Sequence, residues 1–298
     1  IAAGFIKGAK VSDIIRIHRN YRRVMEFTEQ EKKIQEEAIQ EIKNRKQELI
    51  EKFIVSKRPL RLSVISFFMA GSPGAGKTEF SRRYMSDVID KTDEKLMRFL
   101  AKNNIDIESV DTLFIRIDVD EIREFLSQYQ KTDILKGIKG NAHVVQKAAN
   151  RGLDIIREYC FKQEISFLQD GTFGNYDTMR SMVEKSLRTG REVQIFYIYL
   201  DPLVAWEFTK AREYLEGRNI IREKFIEQFY NSQKNVERIK AEFGHQVKIH
   251  CVLKNGKNEV ESIRLDVQSI DNFLKTQYNK GSIKEYSAED LRNLIDEL

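Results

Sequence analysis

An apolar run followed at once by a glycine-rich turn constrains this chain more than anything else in it. Leu62-Ser63-Val64-Ile65-Ser66-Phe67-Phe68-Met69-Ala70 leads into Gly71-Ser72-Pro73-Gly74-Ala75-Gly76-Lys77-Thr78. The run has the length and composition of a buried strand. The turn fits G-x-x-x-x-G-K-[ST], the P-loop, and the residues from Glu79 onward read as a helix. Glycines let such a turn aim its backbone N–H groups at one point, which is also a helix N-terminus where anions are favoured. Lys77 is placed to reach the β- and γ-phosphates of ATP, and the Thr78 hydroxyl to take Mg²⁺. A chance glycine loop is the bland alternative. Average composition gives the pattern in roughly one chain of this length per hundred, and the strand in front makes accident rarer.

Beyond the turn, strand-like and helix-like segments alternate. Strands are expected over 62–70, 112–118, 165–170, 193–200 and 246–253, and helices over 77–102, 120–130, 141–163, 176–189 and 203–242. Several strands are apolar on both faces, as in Val193-Gln194-Ile195-Phe196-Tyr197-Ile198-Tyr199-Leu200, which suits a parallel sheet covered on both sides. The expected fold is α/β, a P-loop kinase-like parallel sheet of about five strands flanked by helices. Ligands then belong beyond the carboxyl ends of the strands. Residues 12–57 lack Gly and Pro and carry Ile34, Ala38, Ile42, Leu49 and Phe53 as one apolar stripe, so an N-terminal helical arm (1–59) precedes a catalytic body (60–298). Pro59 marks the boundary.

The chain of 298 residues carries a net charge of +5, and residues 1–60 hold all of the excess, with 14 Lys/Arg against 9 Asp/Glu. A basic helix can contact nucleic acid or a membrane surface. Close alternation of Glu and Lys favours a solvated helix instead, so nucleic acid is an unlikely partner. No window approaches a membrane span. Cys160 and Cys251 are far apart in apolar segments and read as buried thiols. A cytoplasmic location is expected.

Further candidates lie at strand ends. Asp118 and Asp120, in Ile117-Asp118-Val119-Asp120-Glu121, follow the second strand. A carboxylate there faces the P-loop and can accept a proton from a substrate hydroxyl. Asp120 is favoured as that base; Asp118 reads as a helix N-cap, an orienting residue or a substrate contact. Asp170-Gly171-Thr172 ends the third strand and either orients Mg²⁺ and substrate or merely makes a turn. Arg212, Arg218 and Arg222 punctuate the long fifth helix. Arginines on a lid stabilise a transferring phosphoryl group, although exposed arginines are ordinarily just solvated. The histidines show no metal-ligand spacing.

Together these pieces resemble the zeta toxin family, the kinase toxins of epsilon–zeta toxin–antitoxin systems, from about Leu62 to Val252. The P-loop matches with its proline. The resemblance makes Asp120 the catalytic base and Asp170-Gly171-Thr172 the acid-Gly-Thr of the acceptor site. It makes Asn150, Arg151 and Asp154 a substrate-binding group, and Arg212 and Arg218 the phosphate clamp, with Arg222 able to replace Arg218. Asp154 and Asp170 stand where the family usually has Glu, and Gly174 stands where an Arg often follows. The departures fall on the acceptor side, while the ATP side is intact. The resemblance implies ATP-dependent, Mg²⁺-assisted phosphorylation of a hydroxyl on a nucleotide-sugar such as UDP-N-acetylglucosamine, or on a related nucleotide metabolite, and an antitoxin as a candidate partner. The arm, with Glu29, Glu36 and Glu37, is a candidate inhibitor in cis; a purely structural arm is the alternative. Other readings are a small-molecule or polynucleotide phosphotransferase, or a nucleotide-gated binding module without turnover.

Overall fold

The computed structural model describes residues 27–57, 64–83, 114–131, 140–216 and 220–297. The described part of the arm holds two consecutive helices, α1 (Glu29–Asn44) and α2 (Lys46–Phe53). Thr28 starts α1 through a capping box with Glu31, each side chain bonding the other's backbone amide, which satisfies two orphan N–H groups. The body follows as β1 (Ile65–Ala70), α3 (Lys77–Arg83), β2 (Ile115–Ile117), α4 (Val119–Phe125), α5 (Gln146–Lys162), β3 (Phe167–Gln169), α6 (Tyr176–Arg188), β4 (Glu192–Tyr199), α7 (Pro202–Glu216), α8 (Arg222–Phe243), β5 (Val247–Lys254), β6 (Val260–Arg264), α9 (Ile270–Asn279) and α10 (Ala288–Glu297).

The strands form one six-stranded sheet in the order β2-β3-β1-β4-β5-β6. The first five are parallel, with Phe67 beside Leu168 on one side and Gln194 on the other. Every residue of β1 is buried, as a strand covered on both faces must be. The fold class is as expected, with one strand more. The added strand, β6, runs antiparallel to β5; its Glu261, Ser262 and Arg264 are exposed, so it lacks the apolar signature of the others. The helix expected over 203–242 is two helices, α7 and α8. Pro59, most of the helix expected over 77–102, and residues 12–26 of the arm lie outside the described residues.

The arm packs on α5. Ala38, Ile42, Leu49 and Phe53 are buried in the same core cluster as the sheet. At Gly152 on α5 a Cβ would lie 2.6 Å from Ile122 of α4 and 3.4 Å from Ile42 of the arm. At the carboxyl end of α4, the Arg45 guanidinium sits 4.0 Å over the Phe125 ring and donates to its carbonyl. Glu41 accepts from the Ser127 amide at 3.1 Å. The described part of the arm thus buttresses the helix that begins at Asp118.

Chain direction positions the site. The connection leaving β1 heads toward β2 on one side of the sheet, whereas the one leaving β3 crosses β1 to reach β4. The carboxyl ends of β1 and β3 form the switch point at which such sheets bind ligands.

Candidate active site

The P-loop joins β1 to α3, with Gly71, Gly74 and Gly76 all at positive φ. Lys77 is buried and donates to the Gly71 and Ser72 carbonyls at 3.0 and 2.6 Å. Burial pushes its ammonium down to about 8, helped by Arg212 and Lys254 and opposed by Asp170. The Thr78 hydroxyl donates to Asp170 Oδ2 at 2.7 Å. Gly71 N–H reaches the Thr172 carbonyl at 3.4 Å, so the loops after β1 and β3 are in register.

Asp118 caps α4 by accepting from the Asp120 amide at 2.9 Å. Its other oxygen takes a short hydrogen bond from buried Arg116, whose guanidinium also lies 3.8 Å from Asp170 and 3.9 Å from Glu121. Burial pushes the Asp118 carboxyl up, against the pull of the Asp120 amide and the Arg116 charge. Both Asp118 oxygens are therefore engaged by the protein itself, one of them as the N-cap of α4. Asp120 is more open. Arg123, one helical turn on, donates to its Oδ1, while Arg212 Nη2 on α7 lies 3.8 Å from its Oδ2.

On α5, Asn150, Arg151 and Asp154 share a face. Asn150 accepts from Gln146 at 2.7 Å, and Gln146 accepts from Arg123, which links this face to Asp120. Asp154 is half exposed and paired with Arg157, which also donates to Gln169 at the end of β3 at 3.1 Å. Arg151 is exposed. Arg218 lies outside the described residues. Arg222 is turned to Glu223 and Asp296, so it does not reach Asp120 as Arg212 does. Arg116, Arg123, Gln146 and Arg157 were not singled out in the sequence; only Arg123, three residues after Asp120 on a helix, carried a local signal.

A hydroxyl and a carboxylate side by side, Thr78 and Asp170, are the hard oxygen donors that Mg²⁺ takes from a protein before completing its shell with phosphate and water. Among the described residues no cluster of three or more His, Cys, Asp or Glu could hold a metal by itself. No described helix is long and apolar enough to cross a membrane.

The zeta toxin family model matches residues 102–266, more than half of the chain, including Asp120, Asp170 and Arg212. The chain belongs to the zeta toxin family. No curated protein sequence matches it. Among solved structures, a chain from the PezAT chromosomal toxin–antitoxin system of Streptococcus pneumoniae is similar at 15% identity, with a TM-score of 0.50, over 91% of this chain and 95% of that one. A chain of the AvrRxo1-ORF1:-ORF2 complex with ATP is similar at 12% identity and a TM-score of 0.50, over 84% of this chain and 73% of that one. At such identities these likenesses speak to the fold, which is P-loop kinase-like in this zeta toxin family member.

Proposed function

We propose that this zeta toxin family member is an ATP-dependent kinase that phosphorylates a hydroxyl group of a nucleotide-sugar of the UDP-N-acetylglucosamine kind, and that it acts as a toxin. The observation that carries this reading is the 3.8 Å approach of Arg212 to Asp120. That pairing supports Asp120 as the carboxylate base and Arg212 as the phosphate-seeking cation.

In this reading the P-loop amides and Lys77 hold the β- and γ-phosphates, and Thr78 with Asp170 would hold Mg²⁺, which would supply charge neutralisation on the phosphates. Asp120 Oδ2 takes the proton of the acceptor hydroxyl as its oxygen attacks the γ-phosphorus. The bond from that phosphorus to the β–γ bridging oxygen breaks, and ADP leaves. Arg212, with Arg218 as its partner, balances charge on the equatorial oxygens. Asp118 acts through α4, holding its first turn and so the backbone of Asp120. Asn150, Arg151, Asp154 and Thr172 position the acceptor. Asp154 in place of Glu shortens the reach from α5 to the acceptor by one methylene.

An antitoxin partner is supported by the family and by the toxin–antitoxin system named for a structural neighbour. Incubation with ATP, Mg²⁺ and UDP-N-acetylglucosamine, followed by mass spectrometry, tests the acceptor. Gain of one phosphate on the sugar nucleotide is expected. ATP consumed with no phosphorylated sugar nucleotide would overturn the acceptor assignment.

A further inference from the structure

The hairpin formed by β5 and β6 lies against the P-loop, and its residues have no part in the chemistry described above. Lys254, the last residue of β5, has a fully buried side chain. Its Nζ donates to the Gly76 carbonyl at 3.4 Å and stands 3.6 Å from Glu79 Oε2 on α3. Asn258, at the hairpin tip with φ +64°, donates to the same Glu79 oxygen at 2.8 Å. Asn255 fixes the tip by accepting from the amides of Lys257 and Glu259 at 2.9 and 3.0 Å. Gly76 leaves room for all of this: a Cβ there would lie 2.3 Å from Lys254 Nζ and 2.4 Å from Asn258 Oδ1.

We propose that Lys254 is a positioning residue for the phosphates of a bound nucleoside di- or triphosphate, acting through the Gly76–Lys77 peptide and by its buried charge. Two physical arguments support it. In a trans peptide the C=O and the following N–H point in opposite directions. The Gly76 carbonyl accepts from the Phe80 N–H at 3.0 Å as well as from Lys254, and the charged donor adds to an anchoring that aims the Lys77 N–H into the loop. A buried ammonium is also little screened by solvent. Lys254 is the least of the influences on the Lys77 ammonium and lowers it; the same positive charge attracts a phosphate drawn to the loop. Glu79, more than a third exposed, offsets part of this charge from the solvent side.

The inference rests on the nucleotide-binding reading, and the test separates the two. Titration of the full chain with ADP and, separately, adenosine gives affinities for the wild type, Lys254→Met and Glu79→Gln, with thermal melting recorded for each. Lys254→Met should weaken ADP about tenfold and leave adenosine unchanged. Glu79→Gln keeps the shape and an acceptor for Asn258 while removing the opposing charge, so it should tighten ADP several-fold. A folded Lys254→Met with wild-type ADP affinity overturns the proposal. If that variant does not fold, Glu79→Gln decides: unchanged or weaker ADP binding overturns the proposal, and tighter binding supports it. A wild type that binds no ADP overturns the nucleotide-binding reading itself, and this inference with it.

Discussion

The Thr78 hydroxyl donates to the Asp170 carboxylate across 2.7 Å, joining the P-loop helix to the turn after β3. The two residues are 92 positions apart in sequence, and the parallel pairing of β1 with β3 is what brings them together. Residues that act as one unit give non-additive losses. Thr78→Val and Asp170→Asn are each expected to lower kcat at least ~10-fold, and the double variant to lose no more than the worse single one. Steady-state kinetics on the four proteins checks this; additive losses would separate the residues functionally.

Lys77 gives a pH dependence. Its ammonium sits at about 8 in the ligand-free protein, below its ordinary value, mainly because it is buried. A bound phosphate favours the charged form, so binding takes up a proton wherever the free side chain has lost one. ADP affinity should be flat below about pH 7.5 and fall as pH rises through 8 toward 9.5. Calorimetry in two buffers of different ionisation enthalpy would register the proton uptake. A flat profile over that range would contradict the assignment.

His250 gives an acid-stability prediction. Its Nδ1 accepts from the Asp266 amide at 3.2 Å, and its Nε2 faces Gln194 Oε1 at 3.1 Å. This arrangement fixes the neutral tautomer with the proton on Nε2, and a second proton would meet an N–H donor. Burial holds the imidazole down to about 4, with Lys248 and Lys240 lowering it further and Asp266 and Glu192 opposing. Between pH 6.5 and 4 the unfolded chain binds a proton that the native state does not, so this contribution is complete above 6.5 and is lost as pH falls. The loss is on the order of 3 kcal/mol. Denaturant unfolding from pH 7 to 4 should show a shallower decline for His250→Leu than for the wild type.

The arm makes a stability prediction that bears on inhibition in cis. Leu49 is fully buried in the common core, and Leu49→Ala is expected to cost about 2–5 kcal/mol. Removing residues 1–57 takes Ala38, Ile42, Leu49, Phe53 and Ile54 out of that core and should leave an insoluble or molten chain. A folded truncation with raised activity would show instead that the arm restrains the enzyme.

The legibility of the molecule in its sequence followed the reach of each signal. β1, the P-loop and the doubly buried β4 are local patterns of glycine, lysine and apolar residues, and they appear where the pattern puts them. The edge strand β6 was hidden because an exposed antiparallel strand needs only a partner, and Val260-Glu261-Ser262-Ile263-Arg264 alternates too weakly to be noticed. The break between α7 and α8 was hidden because Gly217 alone is a weak stop signal. Asp120 stood out because two acids at a strand end are uncommon. Its guanidinium neighbours Arg123 and Arg212 come from its own helix and from a helix whose Arg212 is 92 residues later, and only folding joins the latter. Lys254 was illegible altogether, since a lysine ending a strand gains meaning only from the loop it touches.

The central claim is phosphoryl transfer with Asp120 as base, and the measurement that tests it most directly is the rate at which label passes from γ-labelled ATP to an acceptor. Wild type, Lys77→Ala and Asp120→Asn would be compared with UDP-N-acetylglucosamine and with a cell metabolite extract as acceptors. The account predicts labelled acceptor with the wild type and none with Lys77→Ala. Asp120→Asn should transfer at least ~10²-fold more slowly at nearly unchanged ATP affinity. Transfer by Asp120→Asn at the wild-type rate, or no transfer by the wild type to any acceptor, would contradict it.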